Sequence, residues 1–214
     1  MNGGILVVTA VGAEADAVRA GLVDDTVTVA PVGVGPAAAA AGTARLIALA
    51  EAGGTPYRAV VSAGIGGGFP GRAPVGGTVL GTRSVAADLG AESPDGFLTL
   101  DELGFGATTA PADPALLDLL RTCLPYAVTG TVLTLGTVTG SAATTAALLA
   151  RYPDAVAEAM EGYGVAVAAG AAGLPFAELR TISNPIGPRD RAAWRIGDAF
   201  AALTAAFATV APKL

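Results

Sequence analysis

Histidine does not occur in this chain of 214 residues, which removes both the usual general base at neutral pH and the commonest transition-metal ligand. A Ser-His-Asp or Cys-His nucleophile cannot be built, so any catalysis must rest on carboxylates, amides, hydroxyls and backbone dipoles. Cysteine occurs once, as Cys123, which excludes an internal disulfide and suits a reducing cytoplasm. Lying in the helical pattern of residues 119–124, it reads most simply as a small core residue. Charge is also scarce: 12 Lys and Arg against 18 Asp and Glu give a net charge of −6. With the basic residues scattered, no basic surface is expected to hold a phosphate backbone, and nucleic acid is a poor partner. Apolar runs are cut by charge, Pro or Gly well before the ~20 residues of a membrane span. The start, Met1-Asn2-Gly3-Gly4, puts no positive charge ahead of Ile5-Leu6-Val7-Val8, which reads as a buried first strand and not a signal peptide. No metal or cofactor is expected.

What the chain does have is apolar mass: 52% of its residues are hydrophobic, and no polar or low-complexity tract interrupts them. That predicts one domain over residues 1–214 with a well-buried core. Short apolar runs alternate with Ala-rich helical stretches: Ile5 to Ala10, then Glu14 to Leu22; Val27 to Val32, then Pro36 to Ala52; Ala59 to Ala63, then a Gly-rich loop. This is the rhythm of an α/β sheet. Gly76 to Val85 and Val128 to Leu135 read as further strands, separated by a loop-rich stretch from Asp88 to Pro111. Ser141 to Arg151, Gly162 to Ala172 and Arg191 to Val210 read as helices, and Pro175 opens a strand running to Ser183.

Two glycine clusters stand out. Gly33-Val34-Gly35-Pro36-Ala37-Ala38 fits the G-x-G-x-x-A pattern of dinucleotide sites. It follows the second strand instead of the first, however, and Pro36 at the first helical position explains the turn without a ligand. Ser62-Ala63-Gly64-Ile65-Gly66-Gly67-Gly68-Phe69 leaves a strand with four positions lacking a side chain. A ligand cradle and a crowded crossing are equally good readings of it.

Polar islands in an apolar chain carry the chemistry, because burying a carboxylate or amide without partners costs several kcal/mol, on the order of 2–7 for a neutral group. Glu14 lies just past the first strand, where ligands bind in open α/β sheets, although an acidic residue there also simply suits a helix N-terminus. Glu158-Ala159-Met160-Glu161-Gly162 is the second island, and Glu161 is open to the same bland reading. The third is Arg180-Thr181-Ile182-Ser183-Asn184, followed by Gly187-Pro188-Arg189-Asp190-Arg191 and Trp194. Asn184 also reads as a turn-former before Pro185, Asp190 as a helix cap, and Trp194 as an anchor of the last helix.

Together, Glu14, the Gly64 to Gly68 stretch, Met160-Glu161 and Ser183-Asn184 resemble the nucleoside phosphorylase and nucleosidase superfamily over nearly the whole chain. The segment from Ile182 to Arg191, with Trp194, resembles the superfamily's futalosine hydrolase branch, which serves menaquinone biosynthesis. The resemblance implies a single-domain three-layer α/β sandwich with a central mixed β-sheet flanked by helices. It also implies a small-molecule nucleoside as substrate and a homo-oligomer in which a neighbour reaches the 5′ end of the site. Cleaving an N-glycosidic bond passes through a sugar with oxocarbenium character, so the enzyme must supply a nucleophile and help the base leave.

On this resemblance Glu14 and Asn184 are the catalytic residues. Glu14 orients or deprotonates the attacking water, while Asn184 stands where adenine-specific relatives carry Asp, and its amide suits a 6-oxopurine better than adenine. Glu161 accepts from the ribose hydroxyls, Met160 packs on the sugar, and Gly64, Ile65, Gly66, Val138 and Trp194 complete the substrate-binding set. Ile65 replaces a hydroxyl residue common in adenine-cleaving relatives. Neither Thr9 to Asp16 nor Ser62 to Phe69 carries a basic residue, so a phosphorylase's anion site is missing and water is the expected nucleophile. For the 5′ group, Phe69, Phe97, Tyr163 and Trp194 are candidate aromatic walls and Arg189 or Arg191 candidate cations. Alternative readings are a methylthioadenosine/S-adenosylhomocysteine nucleosidase, a purine nucleoside phosphorylase, or a nucleoside-binding module without turnover.

Overall fold

The five residues Ile5-Leu6-Val7-Val8-Thr9 are all buried, and an apolar run with no polar alternation suits a strand covered on both faces. In the computed structural model, which describes residues 3–23 and 27–214, this run is the first strand of an eight-stranded mixed sheet. Met1 and Asn2, part of the start that does not read as a signal peptide, lie outside the described residues. The strands are β1 (Ile5–Thr9), β2 (Val27–Pro31), β3 (Ala59–Gly68), β4 (Thr78–Ala86), β5 (Gly90–Ser93), β6 (Gly96–Thr99), β7 (Thr109–Pro111), β8 (Val128–Thr134), β9 (Ala155–Ala159) and β10 (Phe176–Pro185). The helices are α1 (Gly12–Ala20), α2 (Pro36–Ala52), α3 (Leu100–Leu103), α4 (Pro114–Cys123), α5 (Ala142–Arg151), α6 (Gly162–Ala171) and α7 (Ile196–Val210).

Alternation along β1 divides the core in two, because successive strand residues face opposite sides. Ile5 and Val7 pack with Val18 of α1, Leu120 of α4 and Phe207 of α7. Leu6 and Val8 pack with Ile47 of α2 and Val165 of α6. Helix starts follow local capping rules: Asp113 accepts from the Leu116 N–H ahead of α4, and Ser141 accepts from the Thr144 N–H ahead of α5.

Strand order β2-β1-β3-β10-β4-β8-β9 is the ordinary part of the topology. Beyond the end of β1, β9 returns to pair antiparallel with β3, Gly67 opposite Glu158 and Gly68 opposite Ala157. The strands β3, β10, β4, β8 and β9 thus close on themselves, and the seam lies beside the C-terminal end of β1.

Four sequence expectations differ from the structure. The glycines from 64 to 68 form the second half of β3 and not a loop. A Cβ on Gly66 would come within 2.7 Å of the Glu158 carbonyl oxygen, and one on Gly67 within 2.8 Å of Ile186 Cγ1. Glycine here admits neighbouring strands, as it does where backbones approach closely. β9 passed unread because its five residues, Ala-Val-Ala-Glu-Ala, carry little strand propensity. The stretch from Asp88 to Pro111 contains the β5-β6 hairpin, the single turn α3 and β7. The last helix breaks at Trp194, which is extended (φ −72°, ψ 129°), leaving a 3-10 turn over 191–193 ahead of α7.

Candidate functional site

A cavity of ≈ 230 Å³ opens where β1, β3, β9 and β10 end, and Glu14, Asn184, Glu161 and Met160 all line it. These four come from sequence positions up to 170 residues apart, brought together by the parallel pairing of β1 with β3 and β3 with β10 and by the antiparallel pairing of β9 with β3.

Glu14 sits in the first turn of α1 and is nearly fully buried. Oε2 accepts from the N–H groups of Ala10 (2.9 Å) and Val11 (3.2 Å), the latter closing the helix start. Oε1 reaches across to β3 and accepts from the Ile65 N–H at 2.9 Å. The helix-start reading therefore holds, but the same carboxylate also bridges two elements. With three N–H donors on about four acceptor directions, one direction stays open.

Arg180 lies on β10 behind this carboxylate, wholly buried. Its Nε donates to Glu178 at 2.9 Å, one Nη donates to Ser62 Oγ at 2.8 Å, and Nη1 stands 3.4 Å from Glu161 Oε2. Ser84 donates to the other oxygen of Glu178. The carboxylates of Glu178, Glu161 and Glu14 hold the guanidinium firmly protonated against the opposing effect of burial. Glu161 accepts in addition from the N–H groups of Gly35 (3.3 Å) and Met160 (3.2 Å). The Gly33-Val34-Gly35 turn, read from sequence as a plain helix entry, thus supplies a donor to the site, and the positive φ of Gly35 (90°) points that N–H inward.

β10 carries one extra residue relative to β3 between Ile182 and Asn184. Such a bulge re-aims the side chain that follows. Ser183 Oγ donates to Asn184 Oδ1 at 2.8 Å, and Asn184 Nδ2 donates to the Pro185 carbonyl at 3.0 Å. With Oδ1 already engaged, the amide presents a spare Nδ2 hydrogen to the cavity.

Glu158, on β9, shares the cavity. Its Oε1 accepts from the Thr139 N–H at 2.8 Å, while its Oε2 and the Thr139 hydroxyl are both buried without a partner. Burial pushes the Glu158 carboxyl above the usual carboxylate range, and the Thr139 hydrogen bond offsets this only in part. A raised folded-state pKa means the fold favours the neutral form. That contribution is complete below the ordinary value of 4.5 and is lost as pH rises through the folded value. Glu158→Gln removes the dependence. At neutral pH it is expected to relieve about 1–3 kcal/mol, an upward Tm shift of about 2–4 °C per kcal/mol, with the difference from wild type vanishing below about pH 4. Thermal melts across a pH series measure this.

The remaining sequence candidates divide. Ile65, Gly66, Val138 and Trp194 line the cavity. Gly64 does not: it is buried, and a Cβ there would lie 2.6 Å from Glu14 Oε1 and 2.9 Å from Arg180 Nη1, so it makes room for that pair and does not form the wall. Phe69 is buried in the core beside Leu133 and Ile186, and Phe97 stacks beneath the Arg151 guanidinium at 4.3 Å, so neither is a wall of the site. Tyr163 donates its hydroxyl to the Ala107 carbonyl and borders a separate groove. Arg189 lines the cavity with its guanidinium 5.8 Å from the Trp194 ring, whereas Arg191 is exposed away from it. Asp190 caps the short 3-10 turn, as read. Among the described residues no helix is long and apolar enough to cross a membrane.

The family model described as the phosphorylase superfamily matches residues 6–213. The futalosine hydrolase of Streptomyces coelicolor is 52% identical over 226 residues, covering 98% of this chain and 96% of that protein. The futalosine hydrolase of Acidothermus cellulolyticus is 46% identical, covering 96% and 89%. Among solved structures, the native futalosine hydrolase of Helicobacter pylori superposes with a TM-score of 0.83 over 100% of this chain and 99% of that one, at 15% identity, and so attests the fold. With the matched residues running almost from end to end, the chain belongs to the phosphorylase superfamily and, within it, to the futalosine hydrolases.

Proposed function

We propose that this chain hydrolyses the N-glycosidic bond of futalosine to release hypoxanthine and dehypoxanthine futalosine, a step of menaquinone biosynthesis. The observation that carries the reading is the Glu14 carboxylate, fixed by three backbone N–H groups with one acceptor direction free, in the same cavity as Asn184. In that reading Glu14 takes a proton from the attacking water, a role that requires a base held at fixed geometry. Glu161 accepts from the ribose hydroxyls, Met160 covers the sugar, and Asn184 Nδ2 donates to the imidazole edge of the departing base. That donor stabilises the negative charge the base acquires as the bond breaks.

Water as nucleophile is supported by the charge balance behind the site. Arg180, named in the third polar island but given no role there, is one guanidinium surrounded by three carboxylates. The cluster is net negative and gives a phosphate dianion no welcome. The phosphorylase and adenine-nucleosidase alternatives are less well supported, and a binding module without turnover leaves the bridging position of Glu14 without purpose.

A homo-oligomer and a cytoplasmic setting belong to the same proposal. Val34 and Val138, exposed at the cavity rim, and Leu89 and Val167, exposed along the neighbouring groove, offer apolar surface for a second copy. Light scattering on the purified protein tests this. The reaction is tested by incubating the protein with futalosine, inosine and methylthioadenosine, each with and without phosphate, and following free base by chromatography. Phosphate-independent hypoxanthine release from futalosine is expected, and phosphate-dependent release from inosine would overturn the hydrolase reading.

A further inference from the structure

Gly67 has two cross-strand partners on opposite sides: Asn184 on β10 and Glu158 on β9. Directly paired residues direct their side chains to one face. A Cβ built on Gly67 would accordingly lie 3.4 Å from Asn184 Nδ2 and 3.5 Å from Glu158 Cγ. The nearest atom to that Cβ would be Ile186 Cγ1, at 2.8 Å, so glycine lets Ile186 close over the strand between two polar walls whose Cα atoms stand about 10 Å apart, two strand spacings. One wall has been assigned, since Asn184 presents a donor. The other wall carries two buried atoms without partners, Glu158 Oε2 and Thr139 Oγ1, on two residues joined by the hydrogen bond from the Thr139 N–H to Glu158 Oε1. Native proteins leave few buried polar atoms unpaired.

We propose that Glu158 is the residue that selects the base: its free carboxylate oxygen accepts the N1–H of a 6-oxopurine held in the cavity between Asn184 and Glu158, and the Thr139 hydroxyl donates to O6. The inference rests on the futalosine reading and names what recognises the base within it. A 6-oxopurine offers an N–H at N1 and an acceptor at position 6, the complement of a carboxylate beside a hydroxyl. A 6-aminopurine offers the reverse, a lone pair at N1 and an N–H at position 6. The hydroxyl turns to suit either base, but the carboxylate does not donate unless it first binds a proton. Adenine would therefore leave a buried carboxylate facing a lone pair, and sites built this way reject the mismatched partner strongly. In this assignment Asn184 holds the opposite, imidazole edge, where the two purines are alike, so the choice of base that the resemblance gave to Asn184 falls to Glu158.

Calorimetric titration with hypoxanthine, adenine and 1-methylhypoxanthine is the test, on wild type, Glu158→Gln and Glu158→Ala. Wild type is expected to favour hypoxanthine over adenine by ~10²-fold or more, and to lose a comparable factor on 1-methylhypoxanthine, which lacks the N1–H. Glu158→Gln, whose amide both accepts and donates, should narrow the hypoxanthine preference at least about tenfold. Glu158→Ala should weaken hypoxanthine without strengthening adenine. A preference unchanged in both variants, or wild type binding neither base, would overturn the inference. Wild type that turns over futalosine but shows an unchanged ratio in the variants overturns this inference alone. Wild type that selects hypoxanthine through Glu158 yet leaves futalosine intact overturns the assigned reaction and supports the base site.

Discussion

Glu14→Gln is expected to lower kcat on futalosine by about 10²- to 10⁴-fold, the usual worth of a positioned base, with hypoxanthine affinity unchanged. The two effects separate because Glu14 and Glu158 are different parts of the cavity: one is anchored at α1, the other at the seam of β3 and β9. The substitution also puts an NH₂ group against a backbone N–H at either end of the carboxylate, since Oε1 faces Ile65 and Oε2 faces Ala10 and Val11. That mismatch costs about 1–3 kcal/mol of stability, so a thermal melt accompanies the assay to show that the variant is folded. Undiminished turnover by a folded Glu14→Gln protein would remove Glu14 from the reaction. Lost hypoxanthine binding would instead show that Glu14 shapes the pocket and does not serve the chemistry.

Arg180→Met is expected to be the most destabilising single change in the site. The guanidinium is the one cation among three buried carboxylates, and removing one partner of such a cluster costs about 3–5 kcal/mol. For a chain of this size the Tm should fall by about 6 to 20 °C, read by scanning calorimetry. Arg180→Lys should recover little, because an ammonium cannot hold Glu178 through Nε and reach Ser62 and Glu161 together. A second change, Glu178→Leu in the Arg180→Met background, should restore part of the loss by removing a charge left unpaired. If Arg180→Met melts like wild type, the cluster contributes nothing to the fold.

The sequence revealed the residues whose chemistry is unusual for their surroundings. Glu14, Asn184, Met160 and Glu161 are polar or sulfur-bearing positions at the ends of apolar runs, and the structure gathers them around one cavity. The α/β rhythm was equally plain, because β1, β2 and β8 are short apolar or β-branched runs and α2 begins at a proline. Arg180 and Glu158 were visible as letters but not as parts of a site, for a common reason. Each lies inside a strand, and a strand's sequence does not say which neighbour it pairs with or which face is covered. Arg180 becomes a counter-charge only once β10 lies beside β3. Glu158 becomes a wall only because β9 closes back on β3, a long-range pairing of two residue pairs. The glycines misled in the opposite sense: no local signal separates a flexible loop from a strand whose neighbours press too close for a Cβ.

That closure has a mechanical consequence. The ring of strands is joined at its seam by Gly67 with Glu158 and Gly68 with Ala157, and by the Phe69 N–H bonded to the Val156 carbonyl. A ligand spanning from β9 to β10 straddles that join like a rivet across the thinnest part of a hoop. Occupancy and the strength of the closure then rise together, because a ligand that binds only the closed seam stabilises it.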